Sequence, residues 1–458
     1  MSSADHRIVG TGSYGCVVKP RLPCPDTTEE RAVQVWEASE KRKKNGVEFV
    51  GKLMPQSGAD EEMTARKLVA DIPHIEQYAI IPGMACAVPE SSVRNCKLRR
   101  SASATPALTR QVVMPFGGVT LDKRWLGWLG RDAEWSTDVR SVIYDGFFNL
   151  IRGLKTLADG GVSHMDIKLN NIVWSSSADR QTKFIDFGRA QPLNKVFFKD
   201  ALRRVERRTW MPPESNFGVS MAKAILTRSK HLEWPIHDGP RDFRAQADNM
   251  FATNSDHSQL FSVQHAKSAL QKYASWCLQA QAQAQAAHVT EYYDTPCLFF
   301  LNYFLTVTCA HKTDVYSLGL ALQEFASNMR QTQQGFHRKS GDSPLLDNKF
   351  QDEALLTLTK WMTHANCCMR PTPTSLQTFV DTYSLRAVSD AEELRAYKDA
   401  IVNTMKEDAK KIERHMTSAQ LATYASQWPH FKASYEKLVQ DQQHRLQYIT
   451  GNYLGLYM

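Results

Sequence analysis

Residues 164–188 constrain this chain most. HMDIKLNN (164–171) sets a carboxylate, Asp166, two residues before Lys168 and five before Asn171, and the apolar IVW follows. Twenty residues after Asp166, the run KFI ends in Asp186-Phe187-Gly188. With the helical pattern before them, these segments read as a helix–loop–strand pair–turn organisation. A carboxylate that accepts a hydroxyl proton and an amide oxygen that binds a divalent cation can sit at opposite ends of one short loop. Lys168 between them can neutralise a transferring phosphoryl group. An Asp at a strand end, followed by a Phe anchor, suits a rigidly held Mg²⁺ ligand.

The N-terminal part supplies the matching half. Its first 20 residues read as strand, Gly-rich turn, strand: RIVG, TGSYG, CVV. Glycines in such a turn let backbone N–H groups approach phosphates. A second strand follows in place of a helix, which argues against a dinucleotide-binding fold. VEFVGKLM (47–54) returns to strand pattern and carries Lys52, a point charge for α/β-phosphates. Lys19 is only four residues beyond Gly15, too close to return from an adjacent strand. Residues 60–70 read as a helix that ends before Pro73, and RQVVMPF (110–116) as a strand running into Gly117-Gly118. Residues 21–46 read as a charged, irregular, exposed excursion. Beyond Gly118 the pattern turns helical, with apolar spacings of three and four over 138–158 and again over 311–325.

The chain's 458 residues suffice for two lobes plus additions. A net charge of +8 favours acidic partners without naming one. The nine cysteines are scattered and form no CxxC pair, which argues against a zinc ribbon. Adjacent Cys367-Cys368 near His364 read as buried thiols, since their spacing suits tetrahedral ligation poorly. MSSADHRIVG lacks the pattern of a signal peptide and has no Gly at position 2 for myristoylation. CLFFLNYFLTVTC (297–309) is too short to span a bilayer. The expectation is a soluble, intracellular, cytoplasmic protein with reduced thiols, not bound to membrane and without evident nucleic-acid partners.

Residues 215–300 are polar and Trp-containing, and include QAQAQAQAA (279–287), whose composition suits a helix and a flexible segment equally. After about residue 388 the chain reads as all helical. Ser389 and Glu392 fit a capping box, and Leu394, Tyr397, Ile401, Met405, Ile412 and Met416 fall along one face. That stripe must pack on something, either the main domain or a partner surface.

Together these motifs resemble the eukaryotic-type protein kinases, over roughly residues 1–385. GTGSYGCV (10–17) is similar to the Gly-rich loop, Lys52 to the strand lysine, HMDIKLNN to the catalytic loop and DFG (186–188) to the start of the activation segment. Met211-Pro212-Pro213-Glu214 resembles that segment's A-P-E end, and DVYSLG (314–319) the helix whose Asp braces the catalytic loop. Arg370 in MRPT is similar to the arginine that pairs with the A-P-E Glu, here Glu214. GSYGCVVKP, the excursion before VGKLM, VMPFGG and P-P-E with a long insert also resemble kinases of large nucleocytoplasmic DNA viruses, which implies a viral protein in the host cell or virion.

The resemblance implies an α+β, bilobal protein-kinase fold: a small β-rich N-lobe (1–117, excursion 20–46) and a larger helical C-lobe (118–385). An insertion at about 216–305 precedes the DVYSLG helix, and a helical C-terminal extension spans 386–458. It implies an ATP- and Mg²⁺-dependent Ser/Thr kinase. Asp166 would be the catalytic base, Lys168 the γ-phosphate contact, Asn171 and Asp186 the metal ligands, and Lys52 the α/β-phosphate contact. Glu61 and Glu62 compete to pair with Lys52; Glu61, with Ala65 and Leu68 on its helix face, is favoured. Val9, Gly10, Gly12, Ser13, Tyr14 and Gly15 would line the nucleotide, and Val17 and Val50 would sandwich its base. Met114 would guard the rear pocket. Pro115, Phe116 and Gly117 would form the hinge, where Pro115 keeps its C=O though it lacks an N–H.

Three departures stand out. Met165 replaces the arginine that in the family clamps an activation-loop phosphate, and no Ser, Thr or Tyr occurs between Arg189 and Arg208. Activity is therefore expected without phosphorylation of that segment. The same stretch holds seven basic residues against Asp200 and Glu206, which suits either a solvated loop or acidic substrates. The family's Thr partner for Lys168 falls on Arg207, with Thr209 two residues later, and Glu214 and Asp314 lie 100 residues apart. Competing readings are a small-molecule or lipid kinase on the same fold, and a pseudokinase scaffold that docks a partner through the insertion or tail.

Overall fold

The computed structural model describes residues 6–12, 15–43, 46–88, 96, 109–122, 139–174, 181–193, 310–336, 344–364 and 370–415. The chain is mixed α+β, with an antiparallel sheet first and helices later, and divides into two compact units, Met1–Gln191 and Pro192–Met458.

The first unit is built on five strands: β1 (Arg7–Gly12), β2 (Gly15–Lys19), β3 (Phe49–Pro55), β4 (Met84–Ala87) and β5 (Thr109–Pro115), in the order β1-β2-β3-β5-β4. Side chains alternate across a pleated sheet, so register decides which residues share a face. Gly10 lies opposite Val17, Val17 opposite Lys52, and Lys52 opposite Val112; Val50 lies opposite Met114. One face thus carries Val17, Val50, Lys52, Val112 and Met114. The other carries Cys16, Val18, Leu53, Gln111 and Val113.

Helix α2 (Gln56–Val69) covers part of the first face, with Ala59 and Met63 against Met54, Val112, Ala85 and Met114. The second face is covered by α1 (Thr27–Lys43), which corrects the expectation of an irregular excursion over 21–46. Asp26 starts α1 by accepting hydrogen bonds from the N–H groups of Thr28 and Glu29, at 2.7 and 2.9 Å. Glu29 and Glu30 then favour its positive end. Buried Val33 and partly buried Trp36 pack on Phe49, Cys86 and Val113. The many charges of this segment hide a narrow apolar stripe.

Two disulfides reinforce this face, Cys16–Cys96 and Cys24–Cys86, with Cα atoms 5.8 and 5.9 Å apart. They correct the expectation of reduced thiols at these four positions. Cys277, Cys297, Cys309, Cys367 and Cys368 lie outside the described residues. Gln111, fully buried, binds the chain that leads into α1: its Oε1 accepts from Leu22 N–H at 2.8 Å and its Nε2 donates to Leu22 O at 2.7 Å. Arg21 then bridges Glu30 at 2.8 Å and Glu37 at 2.5 Å.

After β5 the first unit adds a three-stranded sheet, order β6-β8-β9, from β6 (Val119–Thr120), β8 (Ile172–Trp174) and β9 (Thr182–Phe184). A π-helical stretch, Val142–Phe147, leads into α3 (Phe148–Asp159), and the short strand β7 (Val162–Ser163) follows. Gly153 of α3 has room only for a hydrogen, because Tyr78 and Phe184 pack on it.

The second unit holds α4 (Thr313–Phe336), α5 (Lys349–Met362), α6 (Pro373–Thr382) and α7 (Ala391–His415). Asn348 caps α5 and Thr372 caps α6. The α7 stripe packs on α5 and α6 through buried Leu394, Tyr397, Ile401 and Met405. Phe379 anchors it, 5.1 Å from Tyr397 and 5.2 Å from Trp361 between ring centroids. The expected cap of α7 is corrected by one residue. Asp390 accepts from the N–H groups of Glu392 and Glu393, and Glu393 reaches back to Ser389 N at 2.6 Å. Among the described residues, no helix is long and apolar enough to cross a membrane.

Candidate active site

Lys52 projects from the middle of β3 into a cluster with two carboxylates. Its Nζ lies 2.9 Å from Glu62 Oε1 and 3.2 Å from Asp186 Oδ1. The choice of Glu61 is corrected here: Glu61 is exposed, while Glu62 is 2% exposed and faces Lys52. The reason is the face of α2 that the sheet covers, which runs Ala59, Glu62, Ala65, Val69.

One ammonium serves two carboxylates, and their surroundings divide it unequally. Burial alone would lower the Lys52 pKa, but Asp186 and Glu62 raise it above the ordinary lysine value. Burial also opposes ionisation of Asp186, yet Lys52 holds its carboxyl below the usual range. Glu62 is more sealed, and burial pushes its carboxyl above its ordinary value despite Lys52. The cluster is thus polarised, with charge kept on the more exposed Asp186.

The loop 164–171 brings the second cluster. Asn171 Nδ2 donates to Asp166 O at 2.8 Å and to Asp166 Oδ2 at 3.0 Å. Lys168 Nζ donates to the same Oδ2 at 2.9 Å, and Arg189 Nε stands 4.0 Å from it. Asp166 itself is buried. Ile185 N–H donates to Asn171 O at 3.0 Å, which ties this loop to the residue before Asp186. Met165 and Asp186 have φ of 64° and 65°, a left-handed conformation that costs an L-residue about 1 kcal/mol or more. Met165 is sealed at 1% exposure, so its position offers no surface for a phosphate.

His164, which the sequence left without a role, and the expected anchor Phe187 organise these loops. Buried His164 has its Nε2 3.1 Å from Ile185 O and its ring 4.5 Å from that of buried Phe187. The signal was present in the sequence as the His two residues before Asp166 and the Phe of DFG. What it lacked was the knowledge that the two rings meet, tilted by 43°.

Of the candidate nucleotide residues, Val17, Val50 and Met114 share the Lys52 side of the sheet. Gly10, Val17 and Lys52 are successive cross-strand partners, Val9 sits where the β1–β2 register shifts, and Gly12 lies opposite Gly15. Val50 and Met114 pair across β3 and β5, and Pro115 ends β5. Phe116 N–H donates to Glu48 O at 2.8 Å. Gly117 passes where a side chain would meet Ile80 and Val173. Lys19 is taken by Glu48 at 2.6 Å and by the Phe116 ring, away from this cluster.

In the second unit, Asp314 is buried in the first turn of α4. Arg370 is fully buried; it donates to His364 O at 3.0 Å and Lys312 O at 3.2 Å and lies over Tyr316. Ser13, Tyr14, Met211–Glu214, the basic stretch after Pro192–Leu193, the insertion 216–305 and the tail beyond His415 lie outside the described residues.

The donor set at Asn171 and Asp186 suits a hard cation. Both hydrogen bonds of Asn171 Nδ2 go to Asp166, which leaves the amide oxygen as the end that can face a metal. Among the described residues no three His, Cys, Asp or Glu form a metal cage. One carboxylate and one amide oxygen fit Mg²⁺, which takes few protein ligands and completes its shell with water and substrate phosphates. No protein-family model matches the chain, and no curated protein matches it.

Proposed function

We propose that this chain is an ATP- and Mg²⁺-dependent Ser/Thr protein kinase with a bilobal protein-kinase fold. The observation that carries this reading is the bridging of Lys52 to both Glu62 and Asp186. Lys52 and Glu62, ten residues apart, meet Asp186 from a distant part of the sequence as phosphoryl transfer requires, beside a second cluster at Asp166.

In this reading Lys52 binds the α/β-phosphates, and Glu62 holds the ammonium in place. Asn171 and Asp186 would hold Mg²⁺, which when bound supplies charge neutralisation for the phosphate oxygens. Lys168 lies beside Asp166 and contacts the γ-phosphoryl group. Asp166 accepts the hydrogen bond of the acceptor hydroxyl and aims its oxygen for in-line attack. As the O–P bond forms and the bond to ADP breaks, the hydroxyl proton passes to Asp166. Catalysis is positioning plus charge stabilisation.

Sealed Met165 and a segment without Ser, Thr or Tyr before Thr209 support an active arrangement held by packing, without a phosphate on that segment. Cleared of phosphate by a phosphatase, the protein should keep its activity; loss traced to a phosphate within 186–214 would refute this.

The test of the activity is transfer of labelled γ-phosphate to a protein extract and, separately, to its lipid and small-molecule fractions. Wild type should label protein Ser and Thr, and Asp166→Ala should not. Equal labelling by both would remove the enzyme reading, and labelling confined to the non-protein fractions would favour a small-molecule or lipid kinase.

A further inference from the structure

The Gly-rich turn overhangs the sheet. Among the described residues, β3 pairs with β2 at Cys16, Val17 and Val18, whereas β1 and β2 pair further, Thr11 with Cys16 and Gly12 with Gly15. Cys16 is therefore the last rung that β3 supports before the turn. Side chains alternate along β2, so Val17 shares the Lys52 side and Cys16 faces the back. There Cys16 packs, buried, with Val18, Leu22, Leu53 and Val88, and its sulfur is bonded to that of Cys96, 80 residues on in the chain between β4 and β5. A covalent tie thus grips the base of the overhang from behind. The two disulfides also differ in access. Cys24 and Cys86 are both buried, whereas Cys96 is only partly buried. Exchange needs a thiolate at one sulfur of the pair, so access selects the cystine that opens first.

We propose that Cys16 and Cys96 are a positioning pair for the nucleotide, and that reduction of their disulfide by a small dithiol loosens the Gly-rich turn and weakens nucleotide binding. This rests on the kinase reading and adds a thiol-dependent control of the same site. The exchange balances with the dithiol alone. Its first thiolate attacks the Cys96 sulfur, the S–S bond breaks, and Cys16 leaves and takes up a proton. The second thiol then attacks the mixed disulfide and releases Cys96 as a thiol. The cystine gains two electrons and two protons, and the dithiol becomes a disulfide. What changes at the site is the entropy that the turn must lose when it closes on phosphates. With the tie in place part of that ordering is already done, so binding costs less. The effect therefore falls on nucleotide binding and not on the transfer step. Cys24–Cys86 joins the chain before α1 to β4, at the opposite edge of the sheet from β1, so its loss acts on stability instead.

The test treats the full chain with rising dithiothreitol, alkylates the free thiols and locates them by mass spectrometry. Cys16 and Cys96 should be labelled at lower dithiothreitol than Cys24 and Cys86; the reverse order, or all four together, overturns the proposal. At the level that opens only the first pair, the Kd for ATP·Mg²⁺ by calorimetry and the KM for ATP should rise about three- to tenfold, the scale of ordering a short loop on binding, while kcat changes by less than about twofold. Reoxidation with glutathione disulfide should restore both constants. Cys16→Ser with Cys96→Ser should match reduced wild type and no longer respond to that dithiothreitol level, and Cys24→Ser with Cys86→Ser should still respond. Wild type, reduced and reoxidised, supplies the same reading should a double variant fail to fold. A fall in kcat as large as the rise in KM also overturns the proposal, since it would mark a general loss of structure. ATP binding that does not respond when the first pair opens overturns this inference and leaves the kinase reading standing. No ATP binding in any state removes both.

Discussion

The two faces of the five-stranded sheet are made by the same strands and serve opposite ends. On one, Lys52 holds two carboxylates around a single ammonium, with Asp186 partly open to solvent. On the other, Trp36, Val33 and Phe49 form a dry layer, stapled by Cys24–Cys86 and latched by Gln111. Polar groups are costly to bury unless paired, so the charged face gives up stability that the apolar face keeps. The stapled face fixes the strand that carries Lys52 from behind. The comparison teaches that the sheet is braced on the side away from its charged cluster.

The sharpest way to break the contrast is Lys52→Arg. It keeps the positive charge between Glu62 and Asp186 but moves its position, and a displacement of about 1 Å can cost about 100-fold in rate. Phosphoryl transfer should fall by about that factor while the melting temperature changes little, and a variant with near wild-type transfer would dissolve the distinction. The converse experiment is on the other face. Cys24→Ser with Cys86→Ser should lower stability by about 2–4 kcal/mol in a denaturant titration, and dithiothreitol should do the same to wild type. If neither moves the transition, the staple is not part of the brace.

Gly51→Ala is a smaller probe of that face. A Cβ at Gly51 would run into the Gln111 side chain and break its hold on Leu22. A loss of about 1–3 kcal/mol is expected by thermal melting.

On the charged face, pH discriminates further. The Glu62 carboxyl sits above the ordinary glutamate value of 4.5, so as pH falls it takes up a proton before an exposed glutamate would, and the pair with Lys52 is lost. Activity should decline on an acid limb that begins above pH 4.5. Glu62→Gln should lower activity at neutral pH and remove that limb; an unchanged limb would assign it elsewhere.

A dependence of stability on pH is expected in the second unit. Burial, with Lys312 beside it, lowers His311 from 6.5 to about 4. The unfolded chain binds the proton more readily between those values, so stability should rise from pH 4 to 6.5, and His311→Gln should flatten that slope.

Much of the charged face was legible because its signals are local. Asp166, Lys168 and Asn171 lie within six residues, and a turn between two strands shows in Gly10–Gly15. The pairing of Lys52 was half legible: a glutamate of the following helix was expected, but Glu61 and Glu62 are neighbours. Only the covering of α2 by the sheet turned Glu62 inward. The stapled face was nearly illegible. Its helix has charges on most of its surface and only Val33 and Trp36 to signal burial, and its cysteines pair across 62 and 80 residues.

The sequence by itself determined β1, β2, β3 and β5, the helices with strong apolar stripes and the spacing of Asp166, Asn171 and Asp186, since each follows from residues close in the chain. The tertiary structure decided that Glu62 meets Lys52, that α1 covers the back of the sheet, that four cysteines are joined and that Arg189 stands beside Asp166. These depend on which distant segments share a face, and that is set by strand register and by burial, neither of which a local pattern specifies.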